Sequence, residues 1–122
     1  MKSLYNFLKE SKEYKTYDDI IENCKILLGN YFEEESKINK SLKDIINLLK
    51  EYNSKKFEYI CSTYEMYDNY RLEEKYGHLI EEPSVVDECI IEPDEGNYVY
   101  ITADNYLLIG IILDDIEIYK IK

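Results

Sequence analysis

Four apolar, β-rich segments crowd the last third of the chain: VVDECIIE at 85–92, YVYITA at 98–103, YLLIGIIL at 106–113 and IEIYKIK at 116–122. The links between them are only two to five residues long. A parallel neighbour needs a crossover of about a dozen residues or more, so these segments are constrained to pair as an antiparallel meander. The run at 106–113 does not alternate, which sets it apart from its neighbours.

The residues before the meander carry helical spacing. Ser3 is placed to cap a first helix in which Leu4, Phe7, Leu8 and Ser11 share a face, ending near Tyr14. Thr16 opens TYDD, an N-cap followed by acids that meet the positive end of a helix dipole, and Ile20, Cys24, Leu27 and Tyr31 continue one stripe. Gly29–Asn30 is a C-terminal stop that a helix can override at a cost of about 1 kcal/mol. The third helix is the most regular. Ile38, Leu42, Ile45, Leu49 and Tyr52 recur at steps of 4, 3, 4 and 3 before Asn53–Ser54 ends it. That seam lasts barely two heptads, short of what a coiled coil needs, so it is expected to face the protein's own sheet.

From Phe57 the period changes to two, with Phe57, Tyr59 and Cys61 set against Glu58, Ile60 and Ser62. The next stretch, TYEMYDNYRLEEKYG, reads either as a helix or as an aromatic strand pair. Ser62 with Glu65 makes a capping box, Gly77 offers a stop, LEEK is helix-favouring, and Asp68–Asn69 lacks the glycine of a tight hairpin; helix is therefore expected. The predicted fold is α+β, with N-terminal helices packed on one face of a C-terminal antiparallel β-meander. It is a single domain over residues 1–122, the helical part covering about 3–53 and the sheet-rich part about 57–122.

Charge is distributed unevenly over this plan. Residues 1–56 hold eleven Lys and ten acids, whereas 57–122 hold four basic and sixteen acidic residues, so the net charge of −11 belongs to the sheet-rich half. Between Tyr76 and Tyr119 eleven carboxylates meet no Lys or Arg, and His78 is the one possible cation. A field of that sign is repelled by phosphate backbones and anionic lipid, which argues against direct nucleic-acid or membrane binding and for a basic protein partner. Period two then predicts an outer sheet face carrying Glu88, Glu92, Tyr98, Tyr100, Glu117 and Tyr119, rimmed by Asp94, Glu95, Asp104, Asp114 and Asp115. Tyrosines inside a charged rim have the composition of a protein interface. The alternative is that 106–113 is a central strand covered on both faces, by the 63–76 helix or by a second copy. Fourteen tyrosines in a chain so rich in Ile, Lys and Asn look like a compositional bias, so only their positions carry weight.

No catalytic, metal or cofactor motif accompanies this surface. Cys24, Cys61 and Cys89 are far apart, odd in number and without CxxC spacing, which reads as reduced thiols in the cytoplasm. The start, MKSLYNFLKESKEYK, interrupts its apolar residues with charges and lacks a signal-peptide core. PDEGN and LDDIE lack a calcium-loop pattern, and the four glycines never cluster as a phosphate loop does. An enzyme would have to use His78 with Cys61, Cys89 or a carboxylate. In size, charge and architecture the chain is similar to bacterial toxin-immunity proteins and to phage-encoded, anti-CRISPR-like inhibitors of nucleic-acid-targeting systems. What that likeness implies is a small acidic inhibitor whose carboxylates occupy phosphate positions on a basic, nucleic-acid-acting enzyme. The competing expectation is a small regulatory or ligand-binding domain, a homodimer through the 106–113 strand or the 38–52 helix, without inhibitory role.

Overall fold

A computed structural model of the protein describes residues 14–92, 94–112 and 115–122. The helix expected from Ser3 onward therefore lies outside the described residues, apart from its expected end at Tyr14, which is strand. The elements in order are β1 (Tyr14–Lys15), α1 (Tyr17–Tyr31), α2 (Glu35–Leu49) with a 3₁₀ turn at Lys50–Tyr52, β2 (Phe57–Ser62), α3 (Thr63–Tyr67), α4 (Tyr70–Tyr76), α5 (His78–Glu81), β3 (Val85–Glu92), β4 (Asn97–Thr102), β5 (Tyr106–Gly110) and β6 (Glu117–Ile121). The strands form one antiparallel sheet in the order β1-β2-β6-β5-β4-β3. The C-terminal meander is present, and the fold is α+β with helices packed against the sheet. Its turns use the two described residues with left-handed backbone, Gly96 (φ 74°) between β3 and β4 and Asn105 (φ 66°) between β4 and β5.

Both long helices pack as their sequences require, with small departures, and α1 begins where its sequence places the cap. Thr16 Oγ1 accepts the Asp19 N–H at 3.2 Å while Asp19 Oδ2 accepts the Thr16 N–H at 2.9 Å, which closes the capping box of α1. The helix runs through Gly29 to Tyr31. Its buried stripe is Ile20, Cys24 and Leu28, one position round from Leu27, which stays half-buried. In α2, Ile45, Leu48 and Leu49 are buried against the sheet, so the regular seam serves the protein's own core.

The sheet is not open on its other side. One cluster, containing Ile20, Cys24, Ile45, Leu49, Phe57, Val99, Leu107, Ile109 and Tyr119, lies under α1 and α2. A second, containing Cys61, Met66, Tyr76, Leu79, Tyr100, Leu108, Ile116 and Ile118, lies under α3, α4 and α5. The apolar run in β5 is thereby explained, since Leu107 and Ile109 face the long helices and Leu108 faces the short ones. The covered-strand alternative holds, with the 63–81 helices as the cover. β5 is also flanked by β4 and β6, which leaves it no free edge for a dimer.

The covering segment is helical, as expected, but broken twice. The Ser62–Glu65 capping box forms and starts α3. At Asp68–Asn69 the helix stops, and the Asn69 side chain accepts the Arg71 N–H at 3.1 Å to start α4. Gly77 does not end the helical segment: its backbone stays right-handed (φ −57°) and leads straight into α5. A Cβ there would sit 2.5 Å from the Glu73 carbonyl oxygen, so glycine is needed for close approach rather than for a turn.

Candidate protein-docking surface

The single outer face expected from period two divides between the two sides of the sheet. Pairing sets Tyr100 opposite Leu108 and Leu108 opposite Ile118, whereas Leu107 is opposite both Ile101 and Tyr119. Tyr98 and Tyr100 therefore lie under the short helices, and Glu117 and Tyr119 lie on the opposite side, under the long ones. Alternation within a strand fixes which residues share a side; the register between strands, which it leaves open, decided this case. A bulge between Tyr59 and Cys61 likewise moves Cys61 to the short-helix side, away from Phe57 and Tyr59.

Burial separates the expected interface residues further. Tyr100 and Tyr119 are core, 5% and 4% exposed. The Tyr100 hydroxyl donates to the Leu79 carbonyl at 2.9 Å, its ring stacks on Tyr98 at 4.3 Å, and burial pushes its hydroxyl pKa well up. Tyr98 and Glu92 are half-buried, while Glu88, Asp94, Glu95, Asp104 and Asp115 are exposed. Asp114 lies outside the described residues. Asp104 accepts the Thr102 hydroxyl at 2.7 Å and stands 3.7 Å from His78, which together hold its carboxyl below the usual range.

The most exposed aromatic side chains among the described residues are elsewhere, on the outside of the short helices. Tyr64, Tyr67 and Tyr70 are 72%, 67% and 70% exposed. Tyr70, Glu73, Glu74, Gly77, His78 and Glu81 line one hollow of about 460 Å³. Three carboxylates and an aromatic ring around one hollow suit a guanidinium or ammonium group, which gains charge-assisted hydrogen bonds and a cation–π contact together. The chain's own Arg71 already approaches the Tyr70 ring, at 6.0 Å. Between Cys61 and Asp104 twelve acids face two basic residues, Arg71 and Lys75. The sequence signal for this surface was the spacing of Tyr64, Tyr67 and Tyr70 by three, opposite Met66 and Tyr76; the break at Asp68–Asn69 obscured it.

A second cleft, of about 490 Å³, opens beside Lys15, Glu22, Asn23, Tyr59, Glu117 and Tyr119. Glu117 accepts from Asn23 Nδ2 at 2.6 Å and from the Tyr119 hydroxyl at 3.2 Å, yet burial outweighs these bonds and raises its pKa. A carboxyl whose folded pKa is raised keeps its proton longer folded than unfolded. It therefore favours the fold most below its unfolded pKa, near 4.5, and that contribution is lost as pH rises through the folded value. Glu117→Gln should raise the melting temperature at pH 8 and change it little at pH 4. Parallel melts of the two proteins across that range check the sign.

The thiols offer no activated nucleophile. Burial pushes Cys24 up to about 12 and Cys61 and Cys89 up to about 11. Among the described residues no group of three or more His, Cys, Asp or Glu is placed to hold a metal ion, and no helix is long and apolar enough to cross a membrane. Comparison with family models, curated proteins and solved structures finds no match to this chain.

Proposed function

We propose that this protein is a small acidic inhibitor, acting in the cytoplasm, that binds and neutralises a basic, nucleic-acid-acting enzyme of the kind countered by toxin-immunity or phage anti-defence proteins. The observation that carries the reading is the outer surface of the short helices, where Tyr64, Tyr67 and Tyr70 stand exposed among Asp68, Glu73, Glu74 and Glu81. Tyrosines are among the residues enriched as binding anchors, and the carboxylates supply the charge that a phosphate-binding groove attracts. Compared with the sheet face expected from sequence, the docking surface moves outward onto the helices that cover that face.

The test begins with capture from a nuclease-treated lysate of the source cell on the immobilised protein. The captured protein, purified, should be basic and should lose its nucleic-acid binding or cleavage on stoichiometric addition of the inhibitor. A partner that stays fully active, or one without a basic groove, would contradict the proposal. Replacing Tyr64, Tyr67 and Tyr70 together by alanine should weaken this complex by about a hundredfold or more, in the range of interface hot spots. The melting temperature should scarcely move, because truncating exposed side chains costs little stability.

A further inference from the structure

β3 is the outer strand at one end of the sheet, and among the described residues no strand pairs with its free side. It is eight residues long, roughly 26 Å at the usual rise per residue. Val85, Val86 and Ile90 on it are 38%, 60% and 46% exposed. Beside it runs a groove against α2, made of two hollows of about 290 and 260 Å³ that both include Asp44 and Ile90. Asp44, Asp87 and Glu88 line the first, whereas Lys37, Lys40, Asp44 and Glu92 line the second, so the acidic part of the groove is the first hollow.

Backbone donors of this edge point outward. The Glu88 N–H bonds to its neighbour's side chain, Asp87 Oδ1, at 3.0 Å, so it faces away from β4, and an added strand would replace that bond. Alternation in an antiparallel ladder turns the Ile90 N–H the same way. A long apolar edge is a template for an added strand unless something guards it, and the charges on β3 are all negative: Asp87, Glu88 and Glu92. They guard it selectively. A second copy would set three acids against three, with like charges opposed across the strands, whereas a segment bearing Lys or Arg over the first hollow meets opposite charge, Asp87 and Asp44 towards α2 and Glu88 towards the short helices.

We infer that the β3 edge and its groove take an extended basic segment of a partner protein as an added strand. The partner's backbone pairs with the outward groups of Glu88 and Ile90, its cations reach Asp44 and Asp87 on the α2 side, and its intervening apolar side chains cover Ile90 on the other. This rests on the reading that the partner is basic, and is independent of its being an enzyme and of the tyrosine surface.

The probe is a seven-residue peptide of alternating lysine and valine, blocked at both ends, titrated into the ¹⁵N-labelled full chain at 0.1 M salt. Its glutamate–valine counterpart is the control. Shifts and slowed amide exchange are expected at residues 86–92, with shifts at 37–48 of α2, from the lysine peptide alone. Ile90→Pro, which removes an outward donor, should weaken binding at least tenfold. The pair Asp44→Lys and Asp87→Lys, both exposed, should do the same without relying on the proline variant's folding. Shifts confined to 64–81 would overturn the added strand and leave the acidic docking reading standing. Equal shifts from both peptides, no shift from the lysine peptide at millimolar concentration, or a concentration-dependent change at 86–92 without peptide, which would assign the edge to a second copy, would each overturn it.

Discussion

Tyr100→Ala is expected to destabilise the protein by about 3–5 kcal/mol, the usual cost of removing a buried aromatic side chain. Tyr100 is enclosed between the sheet and the short helices, its ring against Tyr98 and its hydroxyl on the Leu79 carbonyl. Truncation leaves a cavity and also deprives that carbonyl of its side-chain donor. A domain of this size has only about 5–15 kcal/mol in total, so urea unfolding should show a large loss. Tyr100→Phe keeps the ring and should lose only about 1 kcal/mol, the net value of one hydrogen bond. Tyr67→Ala, on the exposed side of the same cover, should stay within about 0.5 kcal/mol of wild type. Were Tyr100→Ala as mild as Tyr67→Ala, the second sheet face would be open, and the docking surface would return to it.

The contrast between these two tyrosines marks how far the sequence could be read. Helix starts and short links were reliable guides, whereas the stops expected at Gly29 and Gly77 were overrun. Thr16 with Asp19 and Ser62 with Glu65 form the capping boxes their spacing implies, and the short links impose the meander. The faces were not legible, because they depend on register: Glu117 and Tyr119 look equivalent to Tyr98 and Tyr100 until Leu108 is seen to pair with both Tyr100 and Ile118. One signal did point to the second cover. An apolar run with no alternation, as at Leu107–Leu108–Ile109, demands burial on both sides, and Met66, Tyr76 and Leu79 supply the missing layer. The proposed docking surface rests on charge that is legible in composition and on exposure of Tyr64, Tyr67 and Tyr70 that is not, since it follows from how the cover folds back.

Charge also gives the account its most direct test. If carboxylates on the short helices do for the partner what phosphates do, long-range attraction must speed the encounter. Screening shortens from about 10 Å at 0.1 M salt to about 3 Å at 1 M, while apolar contacts at the tyrosines persist. The association rate constant of the purified pair, followed by stopped-flow from 0.05 to 1 M salt, is the quantity to measure, because steering acts on the on-rate more than on dissociation. Glu73, Glu74 and Glu81 changed together to Lys alter net charge by as much as Glu22, Glu33 and Glu51 changed together to Lys, and all six are exposed. Wild-type association should fall tenfold or more (~10- to 100-fold) across the salt range. The first triple variant should be slow at low salt and nearly indifferent to further salt, and the second should track wild type. Salt-independent association of the wild type, or equal slowing by the two triples, would contradict the charged-surface account.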